Sequence, residues 1–228
     1  MVQRDYILRQ IEQLGMAYGA LVRSAEERKG LQFRVAGEPF DQALRQHFGM
    51  DSETVRMRSA EELIGAIRGE SSAFEEREVV GDKLALLGAL VREQADLDAA
   101  QGDDDEAAIG RLKALQLFLT VLVEEGVSSD LAARGIDPLL ELLAAYALPP
   151  RVMDLLWRQA EQAGDFARAE NWLFALLDED PGALERGIDF YERLRHFSDE
   201  ELVQGNLPRA EVVAGLAELR ARRGGGGM

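Results

Sequence analysis

The chain contains no cysteine in its 228 residues. That excludes a disulfide framework, a thiol nucleophile and any Cys-ligated zinc or iron–sulfur site. It has two histidines, His47 and His196, so a His-based general base or metal site has few candidates. Neither follows a glutamate by three positions, since residues 44 and 193 are Leu and Arg. The Glu-x-x-His pattern of carboxylate-bridged metal sites in helix bundles is therefore missing. Lysine is scarce as well: Lys29, Lys83 and Lys113 are 3 of the 26 basic residues, a bias attributed to genome composition before function. Long apolar runs are lacking too. Leu139–Leu148 and Leu115–Val123 fall short of the roughly 20 residues that cross a bilayer. The first residues carry no basic region followed by an apolar run, so no secretory signal is expected and the expected location is cytoplasmic. The glycine-rich dinucleotide and phosphate loops, the G-x-S-x-G elbow and H-E-x-x-H do not occur. No cofactor is expected.

What is present reads as globular, with 46% apolar and 30% charged residues. A chain of this size buries about 70% of its unfolded surface and makes one large or two small domains. Acids number 42 against 26 bases, for a net charge of −16, so neither nucleic acid nor a membrane surface is an expected partner. Residues 70–106 hold 12 acids and 3 bases. This is either a solvated acidic face or a docking surface for a basic partner. A calcium loop opening at Asp96 would need Gly at its sixth position and Glu at its twelfth, where Gln101 and Ala107 stand. Asp103–Glu106 fits a helix N-terminus instead, where carboxylates meet unpaired amides and the positive end of the dipole.

Helix punctuation runs throughout, with no credible hairpin. Ser59/Glu62, Ser72/Glu75 and Ser198/Glu201 fit the capping box. Asp137-Pro138 and Asp165 read as helix starts, and Gly102, Gly126, Gly135 and Gly164 as stops. A long amphipathic helix is expected over residues 1–29. Its Ile7, Ile11, Leu14, Tyr18 and Leu21 follow the alternating 4-3 spacing of a helix-pair seam. That stripe serves either packing on its own domain or self-association as a homodimer. Residues 30–70 read as a short-helix connecting module, with a helix after Pro39 carrying Phe40, Leu44 and Phe48. Residues 71–223 read as a body of antiparallel helix pairs. In the first pair, Val80, Leu84, Leu87 and Val91 face Leu112, Leu115, Leu119 and Leu122. Short helices near Asp130–Arg134 and Pro138–Ala147 follow, then a second pair over Pro150–Ala163 and Phe166–Leu177. Further helices are expected over Ala183–Arg195, after Ser198 and over Pro208–Arg222, with residues 224–228 as a disordered glycine-rich tail.

Val152–Pro181 carries a more specific pattern: Leu156, then the turn Gly164-Asp165-Phe166, small Ala169, Leu173 and a closing Asp180-Pro181. This resembles one tetratricopeptide repeat, a 34-residue helix–turn–helix, although Trp157 and Ala160 exchange the family's usual small and aromatic positions. A weaker echo surrounds Gly102-Asp103, with Ala107 and Ala114. The chain as a whole resembles an uncharacterised bacterial family of this helical type. The resemblance implies an all-α, irregular tetratricopeptide-like solenoid. It also implies that Arg151 and Arg158, seven apart on the groove-lining helix, grip a carboxylate of a bound peptide; the plainer alternative is an exposed, solvated pair. The expected function is a non-enzymatic interaction or scaffold protein with a protein or peptide partner. The rival class is a carboxylate-based metal or small-molecule binder, including an enzyme.

Overall fold

The computed structural model describes residues 41–42, 44–70 and 77–225; most of these are helical, with no strand among them. The chain divides into two compact units, between Tyr146 and Ala147. The boundary falls inside the span read above as one body. The N-terminal stripe Ile7, Ile11, Leu14, Tyr18 and Leu21 lies outside the described residues, as does the expected Ser72 cap.

The first unit builds its core around one helix. Its described elements are a short helical segment at 44–48, α1 (Ser52–Met57), α2 (Ala60–Glu70), α3 (Arg77–Gln101), α4 (Asp104–Val123) and α5 (Asp130–Leu142). Every residue of α4 from Ala114 to Val121 is buried, because α2, α3 and α5 all pack on it. A helix covered on all sides needs apolar residues all round rather than a stripe. The paired stripe of α3 is in place, with Val80, Leu84, Leu87 and Val91 all buried. Close approach is achieved through small residues. A Cβ on Gly88 would stand 2.8 Å from Phe118 Cε1, and one on Gly110 2.8 Å from Ala95 Cβ. Residues 44–70 do not merely connect: Leu44, Phe48, Val55, Leu63, Ile64 and Ile67 are buried. Each such side chain is worth about 1.5–3 kcal/mol relative to exposure.

Two punctuation marks fail here. Gly135 and Asp137-Pro138 do not break the chain into two helices, because α5 runs through all three. Interior proline costs a helix roughly 3 kcal/mol. Burial of Ile136 and Leu139 on either side, with Gly135 seated against Phe118, opposes that cost. The other stops hold, with Gly102 at φ +88°, Gly126 at +66° and Gly164 at +76°. The capping boxes at Ser59/Glu62 and Ser198/Glu201 are both closed, each carboxylate accepting from its serine amide at 2.7 Å.

The second unit contains α6 (Pro150–Gln162), α7 (Phe166–Glu179), a 3-10 turn (Pro181–Ala183), α8 (Leu184–Leu194), α9 (Asp199–Gln204) and α10 (Arg209–Gly225). The α6–α7 pair forms as the spacing predicts. Asp165 caps α7 by accepting from the Arg168 amide, and Ala169, Leu156 and Leu173 are fully buried. Trp157, Phe190 and Tyr191 form an edge-to-face row inside the unit, with centroids 5.9 and 5.2 Å apart. The last helix continues through Gly224 and Gly225, two residues into the expected tail.

Candidate functional site

The helical spacing of α6 puts Arg151, Asp154, Arg158 and Glu161 in one row, at steps of three and four residues. On α8, Arg186, Asp189 and Arg193 repeat the same steps. The two rows meet. Asp154 is 7% exposed and gathers three guanidiniums: Arg186 donates to its Oδ1, while Arg151 and Arg158 stand 3.8 and 3.7 Å from its Oδ2. The second rung is a fork. Arg193 Nε and Nη2 donate to the two Glu161 oxygens at 2.8 and 2.9 Å. That bond, then the charges of Glu161 and Asp189, raises the pKa of Arg193.

A groove of about 650 Å³ runs over these rungs, lined by Trp157, Arg158, Glu161, Gln162, Arg186, Asp189, Arg193 and Phe197. Its donors exceed their acceptors in two places. Arg158 lies beyond hydrogen-bond distance of Asp154. The Trp157 indole Nε1, in a side chain only 3% exposed, has no acceptor. Arg186 lies over the Trp157 ring at 5.8 Å, a cation–π contact that holds both in place. Phe197 is 38% exposed and supplies apolar surface at the groove. Such a lining can hold an oxyanion between guanidiniums.

The two arginines singled out from the sequence are thus brought together, around a carboxylate of the chain itself. They are neither a freely solvated pair nor two separate contacts. Sequence reasoning missed Asp154, Arg186 and Arg193. The signal was available in the matched three-four spacing of charges on α6 and α8.

Elsewhere the described charges of the acidic stretch are exposed or half-buried, with one exception. Asp98, in the acidic stretch 70–106, is buried and accepts from Gln94 at 2.9 Å and Arg56 at 3.2 Å. Asp96 accepts from Arg111 at 3.1 Å. Asp103–Glu106 begin α4 as expected, although Asp103 makes no side-chain capping bond. His47 is half-buried, and burial lowers its pKa. Among the described residues no group of three or more His, Asp or Glu could hold a metal ion. None of the described helices is long and apolar enough to cross a membrane.

A family model of unknown function, DUF6483, matches residues 1–224. The chain belongs to this family. The match runs through both units of the DUF6483 chain and across the boundary after Tyr146, so neither unit is an appendage to it. No curated protein and no solved structure matches the chain.

Proposed function

We propose that this DUF6483 protein is a non-enzymatic interaction protein whose second unit takes a carboxylate-bearing segment of a partner in the α6–α8 groove. The observation that carries the reading is the convergence of Arg151, Arg158 and Arg186 on Asp154, with Arg186 also within 4.0 Å of Asp180, on a chain whose net charge is −16. A local cationic excess on an acidic protein steers an anionic ligand to one place and repels it elsewhere. Arg158, 39% exposed and beyond hydrogen-bond distance of Asp154, is the donor left for it. The reading also treats the α6–α7 pair as one repeat of a tetratricopeptide-like array, in a cytoplasmic protein.

The deciding experiment is affinity capture with the wild-type chain and with Arg158→Glu, each checked for wild-type helicity. The reading expects a partner retained by the first and lost by the second; identical captured sets would refute it. Self-association is the second component, through Ile7, Ile11, Leu14, Tyr18 and Leu21. Light scattering on the full chain and on one beginning at Gly30 tests it. A dimer that becomes a folded monomer supports the seam, and the same number of subunits in both refutes it.

A further inference from the structure

The two rungs of the groove fix the direction of its helices. Arg186 meets Asp154 and Arg193 meets Glu161, and each pair is 32 positions apart in sequence. α6 and α8 therefore run parallel and in register. Phe197 lines the same groove four residues past Arg193, about one turn beyond the second rung. Its ring meets Phe166 edge to face, with centroids 5.0 Å apart. The groove thus has a cationic end at Arg158 and Arg186 and an apolar end at Phe197. The Glu161–Arg193 fork lies between them.

Phe197 is 38% exposed, yet the turn that carries it is fastened on both sides. Its amide donates to the Leu194 carbonyl at 3.1 Å, and the His196 amide to the Arg193 carbonyl at 3.0 Å. Arg209, the first residue of α10, reaches back to the same turn. Its guanidinium donates to the carbonyls of Arg195 and Phe197 and to the Asp199 carboxylate. Ser198 then opens α9 with its closed capping box. An apolar ring on pinned backbone costs little further ordering when a partner covers it. Aromatic side chains in such positions carry a large share of interface energy.

Ion pairing by itself selects weakly here, because Asp154 and Asp180 face Arg186 and Glu161 takes up Arg193. Apolar contact adds affinity that salt does not screen. We propose that Phe197 is a specificity-determining residue of the groove, so that the bound segment carries an aromatic or aliphatic side chain about three residues from its carboxylate. The inference rests on the groove reading above. The spacing follows from the register of 32, which sets Phe197 level with Asp165, seven positions beyond Arg158. Seven residues of helix rise about 10 Å, and extended chain covers that in about three residues.

The test selects random octapeptides displayed on phage against the immobilised full-length chain. Phe197→Ala, Phe197→Leu and Arg158→Glu are run beside it, each checked for wild-type helicity. The wild type is expected to enrich peptides with an Asp or Glu and an apolar residue about three positions apart. Phe197→Ala should keep the acidic enrichment while the apolar one falls to library frequency, and Phe197→Leu should restore it. Acidic peptides without an apolar preference on the wild type would overturn the role of Phe197 and leave the groove reading standing. The same apolar preference on Phe197→Ala would do likewise. Enrichment that Arg158→Glu does not change would overturn the groove reading, and this inference with it. No enrichment on the wild type would overturn both.

Discussion

Two glycine-to-alanine substitutions should move stability in opposite directions for reasons visible at the residues themselves. Gly215 sits inside α10, and alanine there would gain about 1 kcal/mol of helix propensity. Its Cβ would stand 2.6 Å from Tyr191 Cε1 and closer still to Cζ and Oη. Tyr191 is fully buried and its phenol is held by Glu170, so moving the ring aside would break that bond and disturb the core around it. Forcing atoms into a packed core costs roughly 1–3 kcal/mol or more, and this overlap involves ring atoms rather than the end of a flexible chain. The net expectation is a loss of about 1–2 kcal/mol. For a unit of this size that lowers the midpoint by about 5–15 °C. The chain's two tryptophans, Trp157 and Trp172, both lie in the second unit, so their fluorescence reads this transition selectively. Gly65 is the counter-case: it is exposed in α2, and a Cβ there would meet nothing within 4 Å. Gly65→Ala should stabilise by about 0.5–1 kcal/mol, followed by far-UV circular dichroism. In a Tyr191→Ala background the vacated ring volume should turn Gly215→Ala from a loss into a gain. An unchanged fluorescence midpoint for Gly215→Ala would refute the steric argument.

Asp154→Asn should lower the fluorescence midpoint in urea, because Arg151, Arg158 and Arg186 lose their shared counter-charge. Those arginines are 39–49% exposed at the side chain, so the loss should be about 1 kcal/mol, below the range of buried charged hydrogen bonds and at the upper end for exposed ion pairs, and should shrink in high salt. Acid should act through the caps. The serine amides and hydroxyls hold Glu62 and Glu201 below 4.5. Their stabilisation is therefore present above that value and lost as pH falls through the folded pKa. Melting curves of Glu62→Gln/Glu201→Gln should converge with wild type at low pH; a constant gap would refute the linkage. Lys113 donates to the carbonyls of Val55 and Arg56 at the end of α1. Lys113→Met should therefore speed deuterium exchange in residues 52–57, and unchanged protection there would show that α1 does not depend on it.

The helices were largely legible because their ends are written in local chemistry. The Ser59 and Ser198 boxes, the Asp165 cap and the positive-φ glycines 102, 126 and 164 act within one turn of chain. What depended on a distant neighbour was not legible. Gly135 carries the same letter as Gly164, yet it serves as a notch for Phe118 inside a continuous helix. Pro138 follows Gly135 into that helix because its flanking apolar residues are buried. Gly215 was passed over because it breaks no pattern in its own helix; its purpose lies on Tyr191, 24 positions earlier.

The candidate site divides along the same line. Arg151 and Arg158 were visible as an i, i+7 pair, but a row of charges on one helix does not say whether it faces water, a partner or another row. The answer lay in α8, where Arg186, Asp189 and Arg193 repeat the spacing. Two helices with matched steps can pair their charges rung by rung, and here they do so unequally. Glu161 and Arg193 balance each other, whereas Asp154 draws three cations and satisfies Arg186 most directly. The inequality, rather than the presence of arginine, separates this face from an ordinary ion-paired helix surface. Arg158 stands 3.7 Å from Asp154, beyond hydrogen-bond distance, and lines the groove. That guanidinium is where the sequence pattern ends and the proposed chemistry of a ligand begins.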